Sequence, residues 1–242
     1  MVDLYDNETS VDSPPVVDSL KSTKRNTERC MIRIGKKVVA TLPWSVIRDL
    51  HIETGTAWTQ ELQTKVNHAV AYDKARRSAL ATLNRRALSK GKMIFRLTRK
   101  GHDPAVAEKA INDLEKIGYL NDEEYAQAVL RDLTRTKPAG RLLMEKTLFE
   151  KRIPKPLATQ LIDQFITRQK EKKSTTHYNT NENGEPTEPP DPLTEFVEKK
   201  LATMQHLDEQ TKARRLFALL ARRGFDYEIC RDFVDRYIHH PQ

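Results

Sequence analysis

The sequence predicts an all-α protein: tandem three-helix repeats forming an elongated solenoid, with a small N-terminal β-hairpin/helix element. The first observation behind this is a helical pattern that occurs three times. With Gly101, Arg152 and Gly224 as position zero, Ser89, Gly140 and Lys212 fall at −12. Met93, Met144 and Leu216 fall at −8, and Leu97, Leu148 and Leu220 at −4. Val106, Leu157 and Ile229 follow at +5; Ala110, Leu161 and Phe233 at +9; Ile111, Ile162 and Val234 at +10; Leu114, Phe165 and Tyr237 at +13. Such self-similarity marks a repeat architecture. The second observation is a sharp break at each zero, with apolar residues at helical spacing on both sides. The third is composition. Only 38% of residues are apolar and 31% are charged, which suits slender stacked helices better than one large core. A lone helix pair buries too little apolar surface, so the units should stack.

Residues 1–29 are polar and acidic, with Asp3, Asp6, Glu8, Asp12 and Asp18 before the first basic residue, Lys21. They read as a disordered tail, and they lack the basic start of a signal peptide. Residues 30–71 form the N-terminal element. Met31-Ile32-Arg33-Ile34, Gly35-Lys36-Lys37 and Val38-Val39-Ala40-Thr41-Leu42 suggest a β-hairpin. Two strands are marginal alone. Trp44, Val46, Ile47 and Leu50, on a short helix after Pro43, offer a docking surface. Trp58 adds to it, and both tryptophans read as packing residues.

Repeat 1 covers 72–120, repeat 2 covers 121–167 and repeat 3 covers 192–242. Their opening helices are expected over about 73–88, 122–135 and 192–208. Gly101 and Gly224 suit the left-handed residue that ends a helix. Asp103-Pro104 and Asp226 then restart one, as N-caps with Pro at a first helical position. Asn121-Asp122-Glu123-Glu124 reads as an N-cap and a capping-box Glu; its carboxylates suit the helix dipole. Residues 168–191 are a polar, Pro-rich linker. It allows repeat 3 either to pack on repeat 2 or to sit apart.

Four stretches carry a family resemblance: Arg-Lys-Gly-His-Asp-Pro at 99–104, Leu-Glu-Lys-Ile-Gly-Tyr-Leu-Asn-Asp-Glu-Glu-Tyr-Ala at 114–126, Lys-Pro-Ala-Gly-Arg-Leu at 137–142 and Ala-Arg-Arg-Gly-Phe-Asp at 221–226. They resemble the RecX family of bacterial regulators of the RecA recombinase. The likeness covers 72–166 well, 192–238 fairly well and 30–71 in outline. It implies three tandem three-helix units, no enzymatic activity and binding in the groove of RecA filaments on DNA. It also implies a place in DNA repair, homologous recombination and the SOS response. Three departures stand out. Arg152 replaces Gly and Ile153-Pro154 replaces the cap Asp, so the second break is expected to have another geometry. Lys92 stands where the family often has a helix-opening Glu. The insert around 168–191 is long.

The net charge is +8, and its distribution is more informative. Arg76, Arg77, Arg85, Arg86, Lys90, Lys92, Arg96, Arg99 and Lys100 lie in 76–101 with no acidic residue. In repeat 2, Arg135, Lys137, Arg141, Lys146, Lys151, Arg152 and Lys155 outnumber Glu145 and Glu150. In repeat 3, Lys212, Arg214, Arg215, Arg222 and Arg223 have no acidic neighbour between 211 and 224. The middle helix of every unit is therefore basic. Stacked in register, these faces would form a stripe that binds a polyanion by displacing counterions, or meets acidic loops of a protein. The candidate RecA/DNA-binding residues are Arg76, Arg77, Arg85, Arg86, Lys92, Arg96, Arg99, Lys100, Arg135, Lys137, Arg141, Lys146, Arg152, Lys212, Arg215, Arg222 and Arg223. Among aromatics, Phe95, Tyr119, Tyr125 and Phe149 fall mostly at core-like spacing, which favours backbone contacts over base stacking.

Catalytic signatures are absent from the sequence. It has no Gly-x-Gly-x-x-Gly, no phosphate-binding Gly-x4-Gly-Lys-Ser/Thr, no His-Glu-x-x-His and no Cys-x-x-Cys. Pro190-Asp191 followed by Glu198-Lys199-Lys200 mimics a nuclease triad, but Glu198 lies two helical turns from Asp191. No cofactor or metal is expected. Cys30 and Cys230 stand alone, as reduced cytosolic thiols do. No apolar run approaches the roughly 20 residues of a membrane helix. The expectation is a cytoplasmic, monomeric, non-enzymatic regulator of RecA nucleoprotein filaments. It would also bind single-stranded DNA, with double-stranded DNA as a second candidate. The alternative is a stand-alone, sequence-nonspecific DNA-binding module.

Overall fold

The computed structural model describes residues 14–175, 179–180, 186–187 and 191–239. By contact density the chain divides into two compact units. One holds the residues up to Thr82 and Arg96–Asp113; the other holds Leu83–Phe95 and the residues from Leu114 onward.

In the first unit, strands β1 (Ser19–Ser22), β2 (Arg29–Ile34) and β3 (Lys37–Pro43) form an antiparallel sheet in that order. The β2–β3 hairpin turns at Gly35-Lys36. Gly35 has φ +57°, a conformation that glycine adopts without steric cost, and its N–H donates to the Asp18 carboxylate. Helix α1 (Trp44–Asp49) follows. Val17, Cys30, Ile32, Leu42, Ile47, Ile52, Trp58 and Val66 build the core. Trp44 packs against it and donates Nε1–H to Ser22 Oγ at 3.2 Å.

The sheet corrects the reading of 1–29 as a tail. Val17 is fully buried, and its N–H and C=O pair with Thr56 and Gly55. Leu20 packs on the same core. Val17-Asp18-Ser19-Leu20 carries no apolar–polar alternation among its polar neighbours, so nothing in it registers as a strand. Residues 1–13 lie outside the described ones.

Helix α2 (Gln60–Leu83) begins well before the expected residue 73. Its first half carries only a narrow apolar stripe, Leu62, Val66, Ala69 and Val70, facing the sheet core. Arg29 ties the sheet to this helix through a forked ion pair with Asp73, at 2.7 and 3.1 Å. That contact raises the Arg29 pKa.

The three repeats are α2, α3 (Lys90–Arg99) and α4 (Pro104–Lys116); then α5 (Asp122–Thr134), α6 (Arg141–Glu150) and α7 (Lys155–Thr175). A short pair, β4 (Asn179–Thr180) with β5 (Pro186–Thr187), precedes α8 (Pro192–Ala202), α9 (Glu209–Arg222) and α10 (Tyr227–Val234), which a π-helical turn extends to His239. Helix α7 thus occupies the first part of the stretch read as a linker. The aligned positions −8 and −4 are buried in every repeat, with Leu97, Leu148 and Leu220 at zero exposure. Positions +9 and +10 are buried throughout. Position +5 is not: Ile229 is exposed and lines a cleft with Phe165, Phe196 and Phe225.

Caps fall where the sequence puts them. Asn121 Oδ1 accepts from the N–H groups of Glu123 and Glu124, Asp103 from Val106, and Asp226 from Ile229. Both cysteines are buried, and burial pushes both thiols up in pKa, so they are poor nucleophiles.

Candidate basic interface

The basic middle helices α3, α6 and α9 all end in the same backbone motif. The residue at position zero is left-handed in each: Gly101 at φ +85°, Arg152 at +59° and Gly224 at +79°. The N–H at +1 bonds back to the carbonyl at −4: His102 to Leu97, Ile153 to Leu148 and Phe225 to Leu220, at 3.1–3.2 Å. The zero residue's N–H bonds to the carbonyl at −3. This is the Schellman termination. The expectation of another geometry at the second break is overturned, because the bonding pattern imposes the left-handed residue even on an arginine.

The second compact unit also shows how one repeat meets the next. At −12, Ser89 donates its hydroxyl to the carbonyl of Lys151, at −1 of repeat 2. At the same aligned place, Gly140 donates its N–H to the carbonyl of Arg223, at −1 of repeat 3, at 2.8 Å. Leu142 N–H adds a bond to Gly224 O at 3.0 Å. Within this unit the start of one middle helix therefore caps the end of the next, bringing complementary dipole ends together. Repeat 3 packs directly on repeat 2.

These junctions need glycines. A Cβ on Gly140 would come within 2.2 Å of Gly224 O, and one on Gly224 within 2.2 Å of Leu143 N. At the other junction the glycine sits opposite: a Cβ on Gly91 would meet Arg152 O at 2.7 Å. Gly91 thus makes the room that lets Arg152 stand where its counterparts are glycine. A glycine inside a basic helix was the available sequence signal for this close approach.

The start of α3 is capped despite the lysine at 92. Ser89 Oγ accepts from Lys92 N–H, and Asp122, reaching from α5, accepts from Lys90 N–H at 2.7 Å. Lys90 Nζ pairs with Glu115 at 2.8 Å. Burial, more than the Glu115 charge, raises the Asp122 pKa. The carboxylate read only as a cap of its own helix therefore also serves a neighbouring one.

The predicted cations divide into groups. Arg76, Arg85, Arg86, Arg96, Arg99, Lys100, Arg135, Lys137, Lys146, Arg215 and Arg222 are exposed; Lys92 and Lys212 are half-buried. Several also make internal contacts, among them Lys100 Nζ to Ser78 Oγ and Arg222 Nε–H to Ala218 O, each at 3.2 Å. Arg77 pairs with Asp73 at 3.0 Å, and Arg141 pairs with Glu145 and Asp163. Arg223 donates Nε–H to Pro138 O at 2.8 Å and a terminal N–H to Lys137 O at 3.0 Å. It stitches repeat 3 to repeat 2, and burial lowers its pKa. In the second unit Lys92 and Arg152 converge on Phe95. The Arg152 guanidinium lies 4.0 Å from the ring centroid and Lys92 Nζ 5.9 Å from it. Lys92 Nζ also reaches Glu150 O at 3.4 Å.

The core-like reading of the aromatics fails for three of four. Phe95 is 36% exposed, Tyr119 54% and Phe149 79%, while Tyr125 is half-buried. Periodicity misplaced Tyr119 and Phe149 because each lies one residue off a buried position, Leu120 and Leu148, and misplaced Phe95 because it falls between the buried Met93 and Leu97. The nuclease-like pattern is not assembled. Asp191 directly precedes α8, and Glu198 is exposed and accepts from Tyr237 Oη at 3.4 Å. Among the described residues no group of three His, Cys, Asp or Glu could hold a metal ion.

Comparison with known proteins finds RecX domains in two of the repeats. The description "RecX, first three-helix domain" matches residues 75–114, and "RecX, third three-helix domain" matches 193–234. Two of the three repeats thus match three-helix domains of the RecX family. The "Regulatory protein RecX" of Pelodictyon phaeoclathratiforme is 26% identical over 150 residues, covering 62% of this chain and 80% of the relative. That of Clostridium perfringens strain 13 is 22% identical over 222 residues, covering 91% of this chain and 95% of the relative. A crystal structure of regulatory protein RecX shares the fold with a TM-score of 0.67 at 17% identity, covering 90% of this chain and 99% of that one. The two family matches enclose the Schellman breaks at Gly101 and Gly224.

Proposed function

We propose that this chain is a non-enzymatic regulator that binds RecA filaments on DNA and inhibits RecA's ATPase, strand exchange and filament growth. Similarity to relatives named regulatory protein RecX supports the reading. The structural observation that carries it is the recurrence of solvent-facing cations on the middle helices: Arg96, Arg99 and Lys100 on and after α3, Lys146 on α6, and Arg215 and Arg222 on α9. Cations on rigid helices neutralise phosphates and release counterions without reading sequence. The same charges suit acidic protein loops beside the DNA. A protein holding both DNA and RecA protomers would oppose the nucleotide-linked changes between them.

RecA ATP hydrolysis on single-stranded DNA, with this protein titrated in, tests the reading. Hydrolysis by RecA from the same organism should fall as the protein saturates the filament, with no hydrolysis by the protein itself. An unchanged RecA rate at saturation overturns the proposal. Equal affinity for bare and RecA-coated DNA, with RecA unaffected, would mark a stand-alone DNA-binding module instead.

A further inference from the structure

We infer that Phe149, with the Arg152–Phe95 stack beside it, forms a stacking site for an unpaired base, so that this surface grips single-stranded DNA by its bases as well as its phosphates. The inference rests on the proposed DNA-binding role and adds a recognition element to it.

Three observations converge here, all in the second compact unit. Phe149 is 79% exposed, the most exposed large apolar side chain among the described residues. It stands on the last turn of α6, and its carbonyl accepts from the Arg152 N–H at 2.8 Å. Two cations border a second exposed ring: Arg152 and Lys92 lie over Phe95, and Lys92 also reaches the carbonyl of Glu150, next to Phe149. Aromatic faces among cations are what stacking platforms for single strands present, since every base has a π-face and every linkage a charge. Finally, Arg152 is held at φ +59°, a left-handed conformation costly for any residue but glycine, where both sister breaks use glycine. Gly91 is left without a side chain to admit it. Strain at one repeat, with a compensating gap opposite, fits selection for the side chain that Arg152 projects rather than for its backbone.

The local charge selects the occupant. Lys146, Lys151, Arg152 and Lys155 lie within six residues of Phe149 in the sequence and outnumber Glu145 and Glu150 there, which suits a polyanion. A duplex hides its base faces, so stacking distinguishes single strands from double.

The test compares binding of an oligothymidylate with binding of an abasic oligonucleotide of equal length and charge. The wild-type protein should prefer the oligothymidylate. Phe149→Ala should lower that affinity on the order of 5- to 100-fold, leaving the abasic affinity and the salt slope unchanged. Phe149→Tyr should restore the preference. Arg152→Lys, which keeps charge but loses the planar stack, should lie between. Circular dichroism should show each variant folded, as expected for so exposed a ring. The inference is overturned if wild type does not distinguish the two oligonucleotides. It is also overturned if folded Phe149→Ala binds oligothymidylate like wild type, including the case where only its filament affinity drops. RecA ATPase inhibition, measured on the same samples, reports separately on the proposed function: intact inhibition with no base preference removes this site and leaves that reading standing.

Discussion

At the scale of single residues, position zero shows how one backbone motif can be met by two chemistries. Gly101 and Gly224 occupy the left-handed region at no steric cost, while Arg152 does so at roughly 1–2 kcal/mol. The sequence flagged Arg152 as a departure but could not show that the geometry survives, because the compensation lies far away in the chain at Gly91. The surroundings make the two positions respond oppositely. Around Gly224 an added Cβ meets Leu143 backbone at 2.2 Å, and backbone cannot give way as a flexible side chain can. Gly224→Ala should therefore destabilise by about 2–5 kcal/mol, combining left-handed strain with overpacking. Arg152→Gly relieves strain but gives up the stack on Phe95 and adds freedom to the unfolded chain. These effects nearly cancel, so its stability should change by less than about 1 kcal/mol. Urea denaturation of both variants checks the asymmetry. Equal losses would mean that the junctions of repeats 1–2 and 2–3 are packed alike.

At the scale of elements, the helices were legible wherever a cap or a break coincided with apolar spacing. Asn121, Asp103 and Asp226 placed helix starts to the residue, and the buried −8 and −4 positions placed α3, α6 and α9. The start of α2 and strand β1 were not legible, since each buries only one or two apolar residues per turn or pair against a core made by other segments. Nor was the cross-repeat capping, which depends on which helix end meets which. Asp122 is the clearest case, since it bonds Lys90 N–H from another element. Removing this acceptor with Asp122→Ala should cost about 0.5–2 kcal/mol, as for other caps. Asp122→Asn keeps an acceptor and separates out the charge. Burial raises the carboxyl's folded pKa above its unfolded value near 3.9. The contribution of Asp122 is therefore fully present below that unfolded value and declines as pH rises through the raised folded pKa. Wild type should lose stability relative to Asp122→Asn across that rise, then run parallel to it at higher pH. Denaturation midpoints of the pair from acid to neutral pH decide this. A gap that widens in the opposite direction would contradict a raised pKa.

At the scale of the whole molecule, the excess positive charge was plain in the sequence, but its division of labour was not. Charge counts cannot distinguish Arg223, which caps the end of α9 and binds the Lys137 and Pro138 carbonyls, from Arg215, which is exposed on that helix. Nor can they reveal that Arg141 and Arg77 are held by carboxylates. The distinction gives the basic-face proposal its sharpest test. Arg223→Ala should act mainly on stability, losing about 1–3 kcal/mol as the part-buried Pro138 carbonyl and the exposed Lys137 carbonyl lose a charged donor. The combined Lys92→Ala, Arg96→Ala and Arg99→Ala variant should act mainly on binding. Arg96 and Arg99 are exposed and Lys92 half-buried, away from the apolar core. Exposed substitutions usually change stability by less than about 0.5 kcal/mol; Lys92 adds the loss of its contacts to Phe95 and Glu150. If these side chains meet phosphates, affinity for single-stranded DNA should fall, and the slope of log affinity against log salt should flatten by roughly 0.7 per lost contact. If they meet acidic loops of RecA, binding to bare DNA should hold while filament binding falls. A folded triple variant that binds both targets as wild type does, with the same salt slope, would move the interface off this face of α3.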